Sequence, residues 1–366
     1  MTFTDAELQR YSRQFSLKEV GVEGQARLRD ARVLCVGAGG LGSPILYYLA
    51  AAGVGQIGIV DDDVVDVSNL QRQILYHENN VGQAKVIAAK QQLLALNPLI
   101  TVNTYRQRLQ SDNADDLIRQ YDVIIDGCDN LTTRYMINDA CIRNRKPCVF
   151  ASILRFEGQC SVFIPEQGPC YRCLFPEPPP PAMVPNCAQA GVLGVLPGLM
   201  GSIQATEAIK LILNKGTSLT GRLLIVDALT MEFRQLKVPR KTHCPSCQQQ
   251  QWFTPPTVKE NTMKEISVEA FHALRNNNTP HLLLDIREPY EYTICNLGGK
   301  LLSLDSLPDS LPSGDKDQLI IVHCKAGPRG VAAANYLEQQ GYTNVFNLRG
   351  GILAWIKQID NSLMSY

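Results

Sequence analysis

Apolar positions in the first half of the chain follow two alternating rhythms, short unbroken runs and longer stretches of helical spacing. Arg32 to Val36 is one such run, and an Ala/Leu/Tyr-rich stretch from about Ser43 to Ala52 follows with helical period. Gln56 to Asp61, Thr101 to Tyr105 and Tyr121 to Asp126 repeat the run; about Ala84 to Leu96 and Thr132 to Arg145 repeat the helix. Buried strands alternating with helices predict an α/β fold with a mostly parallel sheet covered on both faces. After Val149 the pattern loosens. Pro176 to Pro181 is nearly all proline and reads as an extended crossing loop, after which a helix from about Leu199 to Leu213 and a strand Leu223 to Asp227 are expected.

A second change of rhythm marks a domain boundary. Gln248 to Gln251 and Thr254 to Thr257 carry no apolar period, so residues 1–250 form one domain, 251–262 a semi-stiff linker and 263–366 a smaller α/β domain. In the latter a helix is expected near Ser267 to Asn276, strands at His281 to Asp285, Leu319 to His323 and Val345 to Leu348, and a helix from about Arg329 to Gln340.

Composition narrows the function classes. The 366 residues suit two domains, and 35 Lys plus Arg against 35 Asp plus Glu leave no bulk charge for nucleic acid or an anionic membrane. No apolar run approaches a membrane span, and Met1 to Glu7 lacks the features of a signal peptide, so a cytoplasmic protein is expected. Twelve cysteines in such a chain point to metal binding and catalysis rather than a disulfide framework.

The first strand opens into Gly37-Ala-Gly-Gly-Leu-Gly42. Gly37, Gly39, Gly40 and Gly42 match a Rossmann-like nucleotide loop, and Asp61 ends the next strand where a carboxylate meets ribose hydroxyls. Taken alone, these residues equally suit an NAD-dependent oxidoreductase. Asn69, Arg72, Gln73 and Lys85 then crowd amide and cationic donors just past that strand, which a triphosphate attacked at its α-phosphorus needs and a dehydrogenase does not. Asp129 and Asn130 follow another strand at the same sheet edge, where a carboxylate can hold Mg²⁺ beside phosphates.

Arg10-Tyr-Ser-Arg13-Gln, the glycine loop, Asn69-Leu-Gln-Arg-Gln73, Gly82-Gln-Ala-Lys85, Asp129-Asn130 and Glu157-Gly-Gln together resemble the MoeB/ThiF group, bacterial relatives of ubiquitin-activating enzymes. The resemblance covers residues 1–248. It implies adenylation by ATP of the C-terminal glycine of a small ubiquitin-like sulfur carrier ending in Gly-Gly. It also implies ribose binding by Asp61, phosphate binding by Arg72 and Lys85, and magnesium binding by Asp129. Arg13 would reach the partner subunit's site, which makes a homodimer part of the expectation.

Cys170-Tyr-Arg-Cys173 and Cys244-Pro-Ser-Cys247 supply four thiols, enough for tetrahedral zinc, although either pair alone suits a redox disulfide. The same positions match the zinc ligands of the MoeB/ThiF group. Cys187 has no second cysteine at ligand spacing, and the resemblance places it where some members form a covalent link to the carrier and others do not. Cys35, Cys128, Cys141, Cys148 and Cys160 sit in or beside apolar runs and read as core residues.

Cys324 ends an apolar strand and begins Cys324-Lys-Ala-Gly-Pro-Arg-Gly330, a loop that feeds a helix, so converging amides, Lys325 and Arg329 favour a thiolate or persulfide. With Asp285 to Glu291 and Leu348 to Trp355, this resembles a rhodanese domain from Met263 to Tyr366. Two departures stand out: Gly330 where the family has serine or threonine, and Asn296-Leu-Gly-Gly299 in place of His-Ile-Pro-Gly. The whole chain resembles fused adenylyltransferase/sulfurtransferases of the MoeB-rhodanese type. That implies thiosulfate or a cysteine desulfurase as sulfur donor and a carrier thiocarboxylate as product, for molybdenum cofactor, thiamin or related synthesis. A rhodanese fold used only for docking, and a scaffold that recruits carriers without chemistry, are the alternatives.

Overall fold

In the computed structural model, residues 2–179, 191–255 and 264–365 are described. The chain divides into two compact units, Met1–Pro255 and Pro256–Tyr366. In the first, strands β1 (Arg32–Val36), β2 (Gln56–Val60), β3 (Thr101–Tyr105), β4 (Val123–Asp126), β5 (Cys148–Leu154), β6 (Glu157–Phe163), β7 (Arg222–Asp227) and β8 (Glu232–Lys237) form one sheet of order β3-β2-β1-β4-β5-β6-β7-β8. The first five are parallel, and β5 to β8 continue antiparallel. Successive β1 residues bury on opposite faces. Val33 and Cys35 enter one apolar cluster with Ile45, Leu49 and Met200, whereas Leu34 and Val36 enter another with Tyr121, Tyr135 and Phe150. Each fully buried aliphatic contributes roughly 1.5–3 kcal/mol, so both faces hold the sheet in register.

The helices lie close to their expected places, at Gly42–Ala52, Lys85–Leu96, Leu131–Arg143 and Val195–Leu213. The expected linker begins later than residue 251. Phe253 stacks 5.0 Å from Tyr135, its N–H donates to Asp139 at 2.5 Å, and Trp252 lies under the Arg143 guanidinium at 5.0 Å. These residues lack an apolar period because two side chains and one backbone bond, rather than a helix or strand, anchor them.

The second unit carries β9 (Glu265–Ile266), β10 (Leu282–Asp285), β11 (Lys300–Leu301), β12 (Ile320–His323) and β13 (Val345–Leu348) in a parallel sheet of order β11-β10-β12-β13-β9. Helices Val268–Asn276, Pro289–Ile294, Pro328–Gln339 and Gly351–Gln358 pack with it. No helix among the described residues is long and apolar enough to cross a membrane.

Candidate functional site

β1 lies between β2 and β4, and the strand order runs outward on both sides from that point. The loops leaving the carboxyl ends of these three strands therefore open into one crevice, the switch point at which α/β sheets bind ligands. Gly37 (φ +96°) and Gly42 close the turn: a Cβ on Gly37 would stand 2.6 Å from the Gly127 carbonyl oxygen, and one on Gly42 2.3 Å from that of Gly37. Asp61 accepts from the Ala38 N–H at 2.8 Å and the Asp63 N–H at 2.9 Å. Burial pushes its carboxyl up, against the opposing pull of the Ala38 amide and Lys85. The Tyr76 hydroxyl donates to the Ala38 carbonyl at 2.8 Å, so the loop is gripped from both sides. Tyr76 carries no motif, and sequence patterns pass over it.

Gln73 is 4% exposed, its Oε1 has no partner among the described residues, and its Nε2 lies 3.8 Å from where a Gly39 Cβ would be. A buried amide left open beside a glycine loop suits a polar ligand. Arg72 runs its stem beside Gly40 and donates to the Ser68 carbonyl at 3.0 Å. Lys85, buried at the start of its helix, pairs with Asp63 at 2.8 Å. Asn69 accepts from the Asp66 N–H at 3.3 Å, and Asn130 caps Leu131–Arg143 by accepting from the Thr133 N–H at 2.9 Å, so both side chains also support local turns.

Asp129 is exposed on the loop after β4 and belongs to no cluster of three or more metal-ligating groups among the described residues. A single carboxylate beside substrate phosphates is enough for Mg²⁺. Behind Asp129 lies a buried ion pair that sequence patterns missed. Arg134 Nε donates to Asp126 at 3.1 Å, and its Nη2 donates to the carbonyls of Cys128 at 2.9 Å and Ala151 at 3.3 Å. Arg13 is not brought to this crevice. Its helix Ser12–Phe15 is tied by Gln14 to the Ala52 carbonyl, at the end of Gly42–Ala52 opposite the glycine loop, about 16 Å away along the helix axis.

The four cysteines converge. Sγ separations are 3.5 Å for Cys170 and Cys244, 3.6 Å for Cys173 and Cys247, and 4.0 Å for Cys170 and Cys173. A tetrahedron with Zn–S bonds near 2.3 Å has edges of about 3.8 Å, so the donor set fits zinc without rearrangement. Cys170, Cys173 and Cys244 are buried and Cys247 partly so. Sulfur-to-sulfur hydrogen bonding, led by Cys170, holds the Cys244 thiol down at about 6. Cys187 lies outside the described residues. Cys35, Cys128, Cys141, Cys148 and Cys160 are buried.

In the second unit Cys324 follows β12, is 1% exposed and accepts from the Gly327 N–H at 3.1 Å. The loop is braced from outside its own sequence. Ile352 and Leu353 N–H groups donate to the carbonyls of Cys324 at 2.9 Å and Lys325 at 3.1 Å, and a Cβ on Gly351 would come within 2.4 Å of the Cys324 carbonyl oxygen. Arg329 forms a buried two-point ion pair with Glu291 at 2.6 and 2.8 Å, so its charge is balanced by Glu291 rather than offered to the sulfur alone.

Both departures from the rhodanese pattern have a local cause. Gly298 adopts φ +75° in a turn closed by the Asn296 side chain, a conformation closed to the family's proline. A Cβ on Gly330 would stand 2.1 Å from Asn347 Oδ1. Gly330→Ser is therefore expected to lower stability by about 1–3 kcal/mol in urea denaturation, and Asn347→Ala in the same chain to recover much of that loss. Equal stability of wild type and Gly330→Ser would contradict this packing.

Comparison with known proteins follows the same division. Residues 11–246 match the ThiF family and residues 267–358 the rhodanese-like domain. The probable adenylyltransferase/sulfurtransferase MoeZ of Mycobacterium tuberculosis is 43% identical over 380 residues, spanning 98% of this chain and 95% of that protein. The sulfur carrier protein adenylyltransferase of Thermus thermophilus is 50% identical over 280 residues, 75% of this chain and all of that one. The adenylyltransferase and sulfurtransferase MOCS3 of Mus musculus is 40% identical over 98% of this chain and 87% of its own length. Among solved structures, E. coli MccB with ATP shares the fold over 67% of this chain and 82% of its own, with TM-score 0.57 and 18% identity. These relatives are named for adenylyl and sulfur transfer, and the oxidoreductase alternative finds no support among them. The chain belongs to the ThiF family, in its adenylyltransferase/sulfurtransferase form with a rhodanese-like domain following the ThiF domain.

Proposed function

We propose that the protein uses ATP and Mg²⁺ to adenylate the C-terminal glycine of a small ubiquitin-like sulfur carrier and then converts the product to a thiocarboxylate. The observation that carries this is the presence in one chain of a crevice, where the glycine loop, Asp61, Gln73 and the Asp129 loop meet at one sheet edge, and of a second unit in which Cys324 directly follows a strand. The carrier carboxylate attacks the α-phosphorus, the bond to pyrophosphate breaks, and an acyl adenylate remains. Amides of the glycine loop, Arg72 and Lys85 meet the phosphates and Asp61 the ribose; Asp129 would hold Mg²⁺, which would supply charge neutralisation beside the phosphates. A persulfide on Cys324, loaded from thiosulfate or a cysteine desulfurase, attacks the acyl carbon and expels AMP. A second thiol, expected to be Cys187, gives up its proton and attacks the Cys324 sulfur of the resulting acyl disulfide, which releases the thiocarboxylate and leaves a Cys187–Cys324 disulfide that an external dithiol reductant reopens for the next turnover. The attack on the acyl adenylate requires no general base, because the persulfide sulfur is already anionic.

Arg13 serves the partner subunit's crevice in a cytoplasmic homodimer, which accounts for its place at the far end of its own Gly42–Ala52 helix. The decisive experiment supplies the protein with ATP, Mg²⁺, thiosulfate, a dithiol reductant and a carrier ending in Gly-Gly, then measures the carrier's mass. Exchange of one terminal oxygen for sulfur is expected; an unmodified carrier with no pyrophosphate released would sink the proposal.

Zinc at Cys170, Cys173, Cys244 and Cys247 is structural in this scheme, joining segments some seventy residues apart. Cys244→Ala should lose bound zinc and lower the melting temperature by about 2–4 °C for each kcal/mol that ligation contributes. Freshly purified protein that contains no zinc by elemental analysis would refute the assignment.

A further inference from the structure

Past the end of β2, one turn lays three side chains along the glycine loop in step. Arg72 Cγ lies 3.6 Å from where a Gly40 Cβ would be, Gln73 Nε2 lies 3.8 Å from that of Gly39, and the Tyr76 hydroxyl donates to the Ala38 carbonyl at 2.8 Å. The three ride on one piece of backbone: Arg72 and Gln73 N–H donate to the Asn69 carbonyl at 3.1 and 2.9 Å, and Tyr76 N–H to that of Gln73 at 3.1 Å. Arg72 and Gln73 offer donors to the crevice. Tyr76 is 4% exposed and packs in the apolar cluster with Val65 and Leu75, so its hydroxyl has the loop, not a ligand, as its partner.

What that bond does follows from the shape of a peptide. The unit joining Ala38 to Gly39 is planar and trans, so its C=O and N–H point in opposite directions. Drawing the carbonyl inward to Tyr76 therefore turns the Gly39 N–H outward. The next unit is set the same way: the Gly39 carbonyl accepts from the Ser43 N–H at 2.9 Å and the Ser43 hydroxyl at 2.8 Å, which turns the Gly40 N–H away from the helix Gly42–Ala52. Ala38 is buried whereas Gly39 and Gly40 are half-buried, and neither glycine N–H has a partner among the described residues. Gln73 Oε1 beside them is likewise unpaired. Successive backbone donors left open at the start of a helix are how a loop holds phosphate oxygens.

We propose that Tyr76 is a positioning residue for phosphate binding: its buried hydroxyl fixes the Ala38–Gly39 peptide with the N–H turned toward the crevice. This rests on the ATP reading of that crevice given under the proposed function. Glycine at 39 has no Cβ to resist rotation of the peptide, so without the hydroxyl the donor-out orientation becomes one of several. Apparent affinity for a phosphate ligand then falls in proportion to the fraction of molecules that keep it.

The test is Tyr76→Phe in the full chain, which keeps the packed ring and removes the hydroxyl. ATP with Mg²⁺ is titrated by calorimetry, and adenosine, which has the base and ribose but no phosphate, is followed by its displacement of ATP. Affinity for ATP should fall about three- to tenfold, while that for adenosine should move by less than about twofold. The ratio of the two affinities is the reading, since any loss of folded protein lowers both apparent values by one factor and cancels. Equal ATP affinity in variant and wild type overturns the proposal. So does an equal fall for ATP and adenosine, the mark of a site loosened as a whole. If the wild type binds no ATP, the proposed function fails and this inference with it; if the wild type binds ATP, the variant decides the role of Tyr76 alone.

Discussion

Cys324→Ala is expected to abolish thiosulfate:cyanide sulfurtransfer and thiocarboxylate formation, by at least about 10⁴-fold, the scale on which loss of a covalent nucleophile is felt. Pyrophosphate exchange should remain at the wild-type rate, because Cys324 belongs to a second compact unit with its own sheet and cores, whereas the glycine loop and Asp129 belong to the first. The companion variant Cys187→Ala separates two routes. Retained thiocarboxylate would mean that another thiol completes the transfer; its loss with exchange preserved would support Cys187 as the relay. Normal thiocarboxylate yield from Cys324→Ala with the same donor would reassign the rhodanese-like unit as a docking module.

Asp129→Ala should lower carrier-dependent pyrophosphate exchange about 10²–10³-fold, the usual consequence of removing one preorganised electrostatic contact. Its melting temperature should stay close to wild type, since Asp129 is exposed. Asp126, three residues earlier, makes the contrast. It is 1% exposed and holds Arg134, so Asp126→Ala would leave a buried guanidinium uncompensated and cost about 3–5 kcal/mol of stability. Stability measured by denaturation and activity measured by exchange should therefore separate for Asp129 and fall together for Asp126. Wild-type exchange in Asp129→Ala would remove it from the magnesium role.

The parallel half of the first sheet and both sets of crossover helices are legible along the chain, because a strand buried on both faces must be continuously apolar and its helices must keep one apolar stripe. The glycines at 37 and 42 are legible for a similar reason, since a turn closed within 3 Å of backbone tolerates no side chain. β8 left no such trace: all six of its residues are exposed, so burial imposes no alternation on them. Trp252 and Phe253 read as linker because single aromatic contacts are aperiodic.

The candidate sites divide in the same way. Two C-x-x-C pairs announce metal chemistry from residue type and spacing, yet only the fold brings sulfurs more than seventy residues apart to 3.5 Å. Local patterns settle backbone conformation, turn glycines and the chemical kind of each side chain, since these depend on near neighbours. The grip of Tyr76 on Ala38, the Asp126–Arg134 pair behind Asp129, Asn347 standing where Gly330 would carry a Cβ, and Glu291 answering Arg329 were decided by tertiary structure. A buried polar group is defined by the partner that satisfies it, and that partner is chosen by how the chain packs rather than by its neighbours in sequence.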